Sequence, residues 1–167
     1  MDYDISLASA VDVDDISALL QANAPSQGGS LTGEFPPDKV GKMILGGMPV
    51  VVARREGRVV GVLFSAAVDA SAPPVVRAML AAWPGGPMSY VYGPVCIADT
   101  ERGRGLLPQL YAVLKERLPG REAILFIRRD NLASIRAHER LGMREVAGYL
   151  FDGSEYVVFS SNADGVR

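Results

Sequence analysis

Two arginines alternate with two glycines at Arg102-Gly103-Arg104-Gly105, and Leu106-Leu107-Pro108 follow directly. Glycine has no Cβ, so left-handed dihedrals cost it little and a ligand can come close to its backbone. Leu107, Leu110 and Leu114 then recur at helical spacing, which predicts a helix over 105–118. The start of a helix leaves backbone N–H groups without intrahelical partners and carries partial positive charge. Arg102 and Arg104 add full charges. Together these features make a seat for phosphate groups. Pro108 suits the first helical turn, where its missing N–H breaks no intrahelical bond. The same residues would also serve as a basic surface turn that simply caps a helix. The turn is not a P-loop, because no Gly-Lys-Ser/Thr follows, and it lacks the third glycine of the dinucleotide fingerprint.

A second constellation lies further on. Asn131, Ser134 and His138 fall at i, i+3 and i+7, so they share one face of a helix predicted over 131–141 with Gly142 as its stop. Histidine changes charge close to neutral pH, so His138 can hand on or take up a proton, or it can fill volume and bond a neighbour. Asn131 can contact a ligand or act as a plain N-cap. Cys96 sits in an apolar strand, where a buried thiol is the better reading than a nucleophile.

The 167-residue chain carries a net charge of −2, so the arginines of the turn are a local feature on a slightly acidic protein. That balance gives no general attraction to nucleic acid or to an anionic membrane. One histidine and one cysteine leave no zinc cluster and no internal disulfide, so no metal is expected and a reducing compartment fits. Met1 to Ile5 has neither a basic nor an apolar region, so no signal peptide is expected. No apolar run reaches the roughly 20 residues that span a bilayer. The expectation is one cytoplasmic domain over 1–167.

The elements that must position these residues follow from periodicity. Tyr3, Ile5 and Leu7 alternate with polar residues as in a strand with one buried face. Asp12 reads as the N-cap of a helix through Ile16, Leu19 and Leu20. Residues 25–37 read as a long loop, and Asp38 to Leu45 as a short helix. Val50 to Arg54 and Arg58 to Val68 form a hairpin about Glu56-Gly57. Val76, Met79, Leu80 and Trp83 mark a helix that covers a sheet edge or flaps over a site. Tyr90 to Ala98 is the strand that enters the basic turn. Ala123 to Ile127 is a buried strand, and Glu145 to Tyr149 and Tyr156 to Ser160 close the fold about Asp152-Gly153. Residues 162–167 read as a frayed tail. Strand–turn–helix–strand implies parallel neighbours, and the early hairpin implies antiparallel ones, so the sheet is mixed.

Arg102-Gly103-Arg104-Gly105-Leu106-Leu107 resembles the acyl-CoA pyrophosphate loop of the GNAT family of N-acetyltransferases. Arg102 and Gly105 match its pattern, while Leu107 stands where a small residue is usual. Asn131 through His138-Glu139-Arg140-Leu141-Gly142-Met143 is similar to the family's Asn…Tyr-Glu-Lys-Leu-Gly-Phe segment, with His138 in the tyrosine's place and Met143 in the phenylalanine's. The resemblance covers roughly residues 90–160. It implies an α/β (α+β) GNAT-like fold: a twisted mixed sheet of six to seven strands flanked by helices, with a V-shaped splay between the two central parallel strands. It implies an acetyl-CoA-dependent N-acetyltransferase acting on a primary amine of a small molecule or peptide. A non-catalytic acyl-CoA sensor and a transferase of longer acyl groups are the alternatives. The pantetheine arm would lie along the backbone of Val95, Cys96 and Ile97. The pyrophosphate would sit on Arg102, Gly103, Arg104, Gly105, Leu106 and Leu107, and Asn131, Ser134 and His138 would face the cofactor. The family's tyrosine protonates the departing thiolate, and His138 is a credible substitute. The base is open between Glu34, Tyr92 and a water chain. The family often dimerises through its last strands, which implies a homodimer.

Overall fold

The structure is a computed structural model and describes residues 3–162. Of the expected frayed tail, residues 162–167, all but Asn162 lie outside them. The elements in chain order are β1 (Asp4–Leu7), α1 (Val13–Gln21), α2 (Pro37–Ile44), β2 (Val51–Arg55), β3 (Arg58–Ala67), α3 (Pro74–Ala82), β4 (Tyr90–Ile97), α4 (Leu106–Arg117), β5 (Ala123–Arg128), α5 (Leu132–Arg140), β6 (Arg144–Phe151) and β7 (Ser154–Ser160). The strands form one seven-stranded sheet in the order β1-β2-β3-β4-β5-β7-β6. β4 and β5 run parallel, joined at Tyr90–Ala123 and Val91–Ile124. β1/β2, β2/β3, β5/β7 and β6/β7 are antiparallel, so the sheet is mixed as expected.

The chain groups into two compact units. One comprises the residues up to Ala66 with Gly93–Pro119, the other Ala67–Tyr92 with the residues from Gly120 on. The boundary falls inside β4 at Gly93-Pro94. Gly93 has φ +111 and Pro94 has no N–H to give to a ladder, so strand pairing cannot continue evenly through them.

In the first unit, Glu56 and Gly57 both take left-handed φ values, 54° and 78°. That is the tight turn whose twist suits a two-residue hairpin. Ile16, Leu20, Val40, Val52, Val62, Phe64 and Cys96 close its core. β1 departs from expectation. No residue of it is fully buried and Leu7 is exposed, because β1 is an edge strand with one neighbour. Asp12 does not cap α1 with its side chain. Its carboxylate instead accepts from the Ser9 N–H and pairs with Arg54.

In the second unit, Met79 of α3 packs with Val91, Ile124 and Val158, and Val76, Leu80 and Trp83 pack against that group. α3 is therefore a cover on its sheet face. Its last turn is held by Glu122, which accepts from Trp83 Nε1 at 2.9 Å, from the Gly86 N–H at 2.9 Å and from the Ser160 hydroxyl. Asp152 and Gly153 turn β6 into β7 with φ 52° and 81°.

Candidate functional site

The residues expected to seat phosphate all belong to the first unit. Gly103 and Gly105 have φ +75 and +77, values that other residues rarely adopt, and Gly105 is the N-cap of α4. A Cβ built on either would meet nothing within 4 Å, so open space lies before both glycines. The first N–H groups of α4, from Leu106 and Leu107, have no intrahelical carbonyl to bond. Leu106 is buried and anchors the helix, while Leu107 is half-buried.

Arg102 does something the sequence did not reveal. Its guanidinium bonds Ile97 O at 3.1 Å, Asn23 Oδ1 at 2.7 Å and Asp99 Oδ1 at 2.9 Å. The side chain thus staples the loop to the end of β4 and to the residues after α1, while Arg104 stands exposed.

Glu101, which sequence reasoning passed over, is buried just before the loop. It accepts from Tyr3 OH at 2.8 Å, Thr100 Oγ1 at 2.9 Å and Arg55 Nη1 at 3.4 Å. The Tyr3 hydrogen bond, then that from Thr100 and the Arg55 charge, outweigh burial and hold its carboxyl below the ordinary range. No local pattern flagged it, because Tyr3, just before β1, and Arg55, at the end of β2, are distant in the chain.

Val95 and Ile97 are half-buried on β4, and Cys96 is buried in the core. Burial pushes the Cys96 thiol up to about 11, which suits a packed thiol and not a nucleophile. Glu34 is exposed, with both carboxylate oxygens bonded locally. Ser26 Oγ (2.8 Å), Ser26 N–H (3.2 Å) and Gln21 Nε2 (3.2 Å) donate to it. The Ser26 hydroxyl bond leads the causes that keep its carboxyl below the ordinary range.

The second unit brings Tyr92, Asn131, Ser134 and His138 together. Asn131 Oδ1 accepts the Ser134 N–H at 3.2 Å and caps α5. His138 Nδ1 lies 2.8 Å from the Ser134 carbonyl oxygen and 3.3 Å from Ser134 Oγ. Tyr92 OH lies 2.9 Å from His138 Nε2, and the two rings meet edge to face at 5.3 Å. A carbonyl oxygen only accepts, so Nδ1 carries a hydrogen. Burial, opposed by the Ser134 carbonyl, holds the imidazole below its ordinary pKa and hence neutral at pH 7. In a neutral ring with hydrogen on Nδ1, Nε2 is an acceptor, so the Tyr92 hydroxyl donates to it.

A sequence profile of the Acetyltransferase (GNAT) family matches residues 37–143, well over half of the chain. The chain belongs to this GNAT acetyltransferase family. The match takes in both the loop and α5, and it begins earlier than the region that carried the resemblance. Among solved structures, the chain is similar to the Salmonella typhimurium protein yncA, whose structure holds its cofactor acetyl-CoA (TM-score 0.71, 19% identity, 96% of this chain and 93% of that one). It is also similar to an N-acetyltransferase from Staphylococcus aureus Mu50 (0.70, 17%, 96% and 98%) and to a ribosomal-protein-alanine N-acetyltransferase from Brucella melitensis (0.70, 20%, 93% and 97%). At such identities these likenesses establish the GNAT fold. No curated protein sequence matches the chain. Among the described residues no helix is long and apolar enough to cross a membrane, and no group of three or more candidate ligands gathers to hold a metal ion.

Proposed function

We propose that this acetyltransferase moves the acetyl group of acetyl-CoA directly to a primary amine of a small molecule or peptide. Acetyl-CoA supplies the activated thioester. The observation that carries the reading is the turn before α4. Two left-handed glycines face open space, the helix N-terminus has unspent N–H groups, and Arg104 stands exposed beside them. A diphosphate fits that chemistry. We assign the pyrophosphate to the backbone of Arg102 to Leu107 and the pantetheine arm to the backbone of Val95, Cys96 and Ile97. Asn131 and Ser134 are assigned as further cofactor residues, and His138 to the proton transfer. Glu34, an ionised carboxylate, is the acidic group assigned to the acceptor amine. Holding two reactants in register removes several kcal/mol of barrier, on the order of what well-oriented intramolecular reactions show, with no covalent enzyme intermediate.

Calorimetry with acetyl-CoA tests this, comparing the wild type with Gly105→Glu, whose folding is checked by circular dichroism. Micromolar binding that the substitution abolishes is expected. A folded wild type that binds no acetyl-CoA would sink the reading.

A further inference from the structure

The family resemblance put His138 in the role of proton donor to the departing sulfur. The hydrogen bonds around it run the other way. The single imidazole hydrogen, on Nδ1, is committed to the Ser134 carbonyl at 2.8 Å. The opposite nitrogen, Nε2, faces the Tyr92 hydroxyl at 2.9 Å and can only receive from it. Tyr92 and His138 are both buried, at 4% and 2% exposure, so bulk water does not compete for this bond. The backbone of α5 fixes the tautomer. Asn131 caps the helix on the Ser134 N–H, and Ser134 O then takes Nδ1–H one turn later.

We propose that Tyr92 is the proton-carrying residue of this site and that His138 acts behind it as a positioning residue and proton acceptor. The proposal rests on the transferase reading. The acceptor nitrogen gives its proton to the Tyr92 oxygen as the Tyr92 O–H proton passes to His138 Nε2. The ring is then protonated on both nitrogens, with Nδ1–H still on Ser134 O. When the carbon–sulfur bond breaks, Nε2 returns its proton to the Tyr92 oxygen, and the Tyr92 O–H proton goes to the sulfur. One proton moves from nitrogen to sulfur, and the pair ends as it began. Burial disfavours the charged ring and drives the return step.

His138 is the only histidine of the chain, so the imidazole nitrogen signals of a tag-free, ¹⁵N-labelled protein belong to it without assignment. The expected spectrum at pH 7 shows a neutral ring, protonated at Nδ1, with Nε2 shifted by an accepted hydrogen bond. In Tyr92→Phe the Nε2 signal moves toward that of an unbonded nitrogen and the Nδ1–H signal stays. A ring protonated at Nε2, or an Nε2 signal indifferent to Tyr92→Phe, would overturn the proposal. Turnover is then followed by release of the CoA thiol from acetyl-CoA with a panel of primary amines. Tyr92→Phe is expected to lower kcat on the order of a hundredfold, as loss of an acid–base group does, with acetyl-CoA affinity within about twofold. His138→Phe and His138→Gln are both expected to lower kcat, because a glutamine amide can accept a hydrogen bond from Tyr92 but cannot take its proton. Unchanged kcat in Tyr92→Phe beside a large loss in His138→Phe would make the histidine itself the carrier and overturn the assignment. Failure of the wild type to bind acetyl-CoA would fall on the transferase reading, and the nitrogen spectrum would still decide whether the pair exists as described.

Discussion

His138 sits behind Tyr92 with its ring out of water, and that burial has a cost the protein shows as acid is added. The folded-state pKa lies below the ordinary 6.5, while the unfolded chain titrates near 6.5. Above 6.5 both states are neutral and the histidine contributes nothing to the pH dependence. Below it the unfolded state binds the proton first, so stability falls with falling pH. Denaturant titrations should show a loss for the wild type from pH 6.5 down to about 5, above the range where carboxylates dominate. The same titrations of His138→Gln should be flatter in that window, whatever their absolute level. Equal slopes would mean that His138 is not held neutral. Residue types and spacing made the candidate residues partly legible: the glycines and helix start in the first unit, and the shared face of Asn131, Ser134 and His138 in the second, could be read from the chain. Directions could not. The Arg102 charge was visible, but its three acceptors are set by where Asn23, Ile97 and Asp99 end up in space. The Tyr92 partnership was equally hidden, because 46 residues separate it from His138.

Helices were legible from their periodicity, and their ends from proline and glycine. What holds each helix down was not. α4 packs on β2 and β1, and this close approach needs Gly61 of β3. A Cβ there would lie 3.1 Å from Leu106 Cδ2 and 3.4 Å from Leu110 Cδ1. Gly61→Val should therefore cost on the order of 1–3 kcal/mol by overpacking. It should also weaken acetyl-CoA binding, since Leu106 opens the helix before which the phosphate seat is proposed. Thermal melts and calorimetry on one sample check both, and a silent substitution would show that α4 rides loosely. A glycine inside an otherwise apolar strand was the available signal, because such a residue often marks another element coming close. α3 depends on Glu122 in the second unit. Glu122→Ala strands the Trp83 indole N–H, the Gly86 N–H and the Ser160 hydroxyl, each at about 1–3 kcal/mol if left unpaired. A fall in melting temperature of about 5 °C or more is expected, since a chain of this size loses roughly 2–4 °C per kcal/mol. Trp83→Phe, which leaves Glu122 its other donors, should fall by less.

For the whole chain, the sequence supported a mixed sheet and a parallel pair on either side of the basic turn, because a strand–helix–strand run allows little else. It did not order the last two strands. β7 lies between β5 and β6, so the chain passes the edge first and then turns back inward. The physical reason was present in the residues: Tyr156-Val157-Val158-Phe159 is a continuous buried run, as an inner strand needs, whereas β6 is only half-buried. A ligand that binds only the folded state stabilises it by about 2.7 kcal/mol at a free concentration one hundred times its Kd. For this length that corresponds to a rise in melting temperature of about 5–11 °C. Acetyl-CoA should produce that rise in the wild type and none in Gly105→Glu. Glutamate at position 105 would need a φ of +77 and would set a carboxylate where diphosphate is proposed to bind. Some loss of intrinsic stability from that φ is expected, so the quantity to compare is each protein's own shift with and without ligand. An equal rise in both proteins would place the coenzyme away from the turn before α4, and no rise in either would leave the GNAT fold without the donor proposed for it.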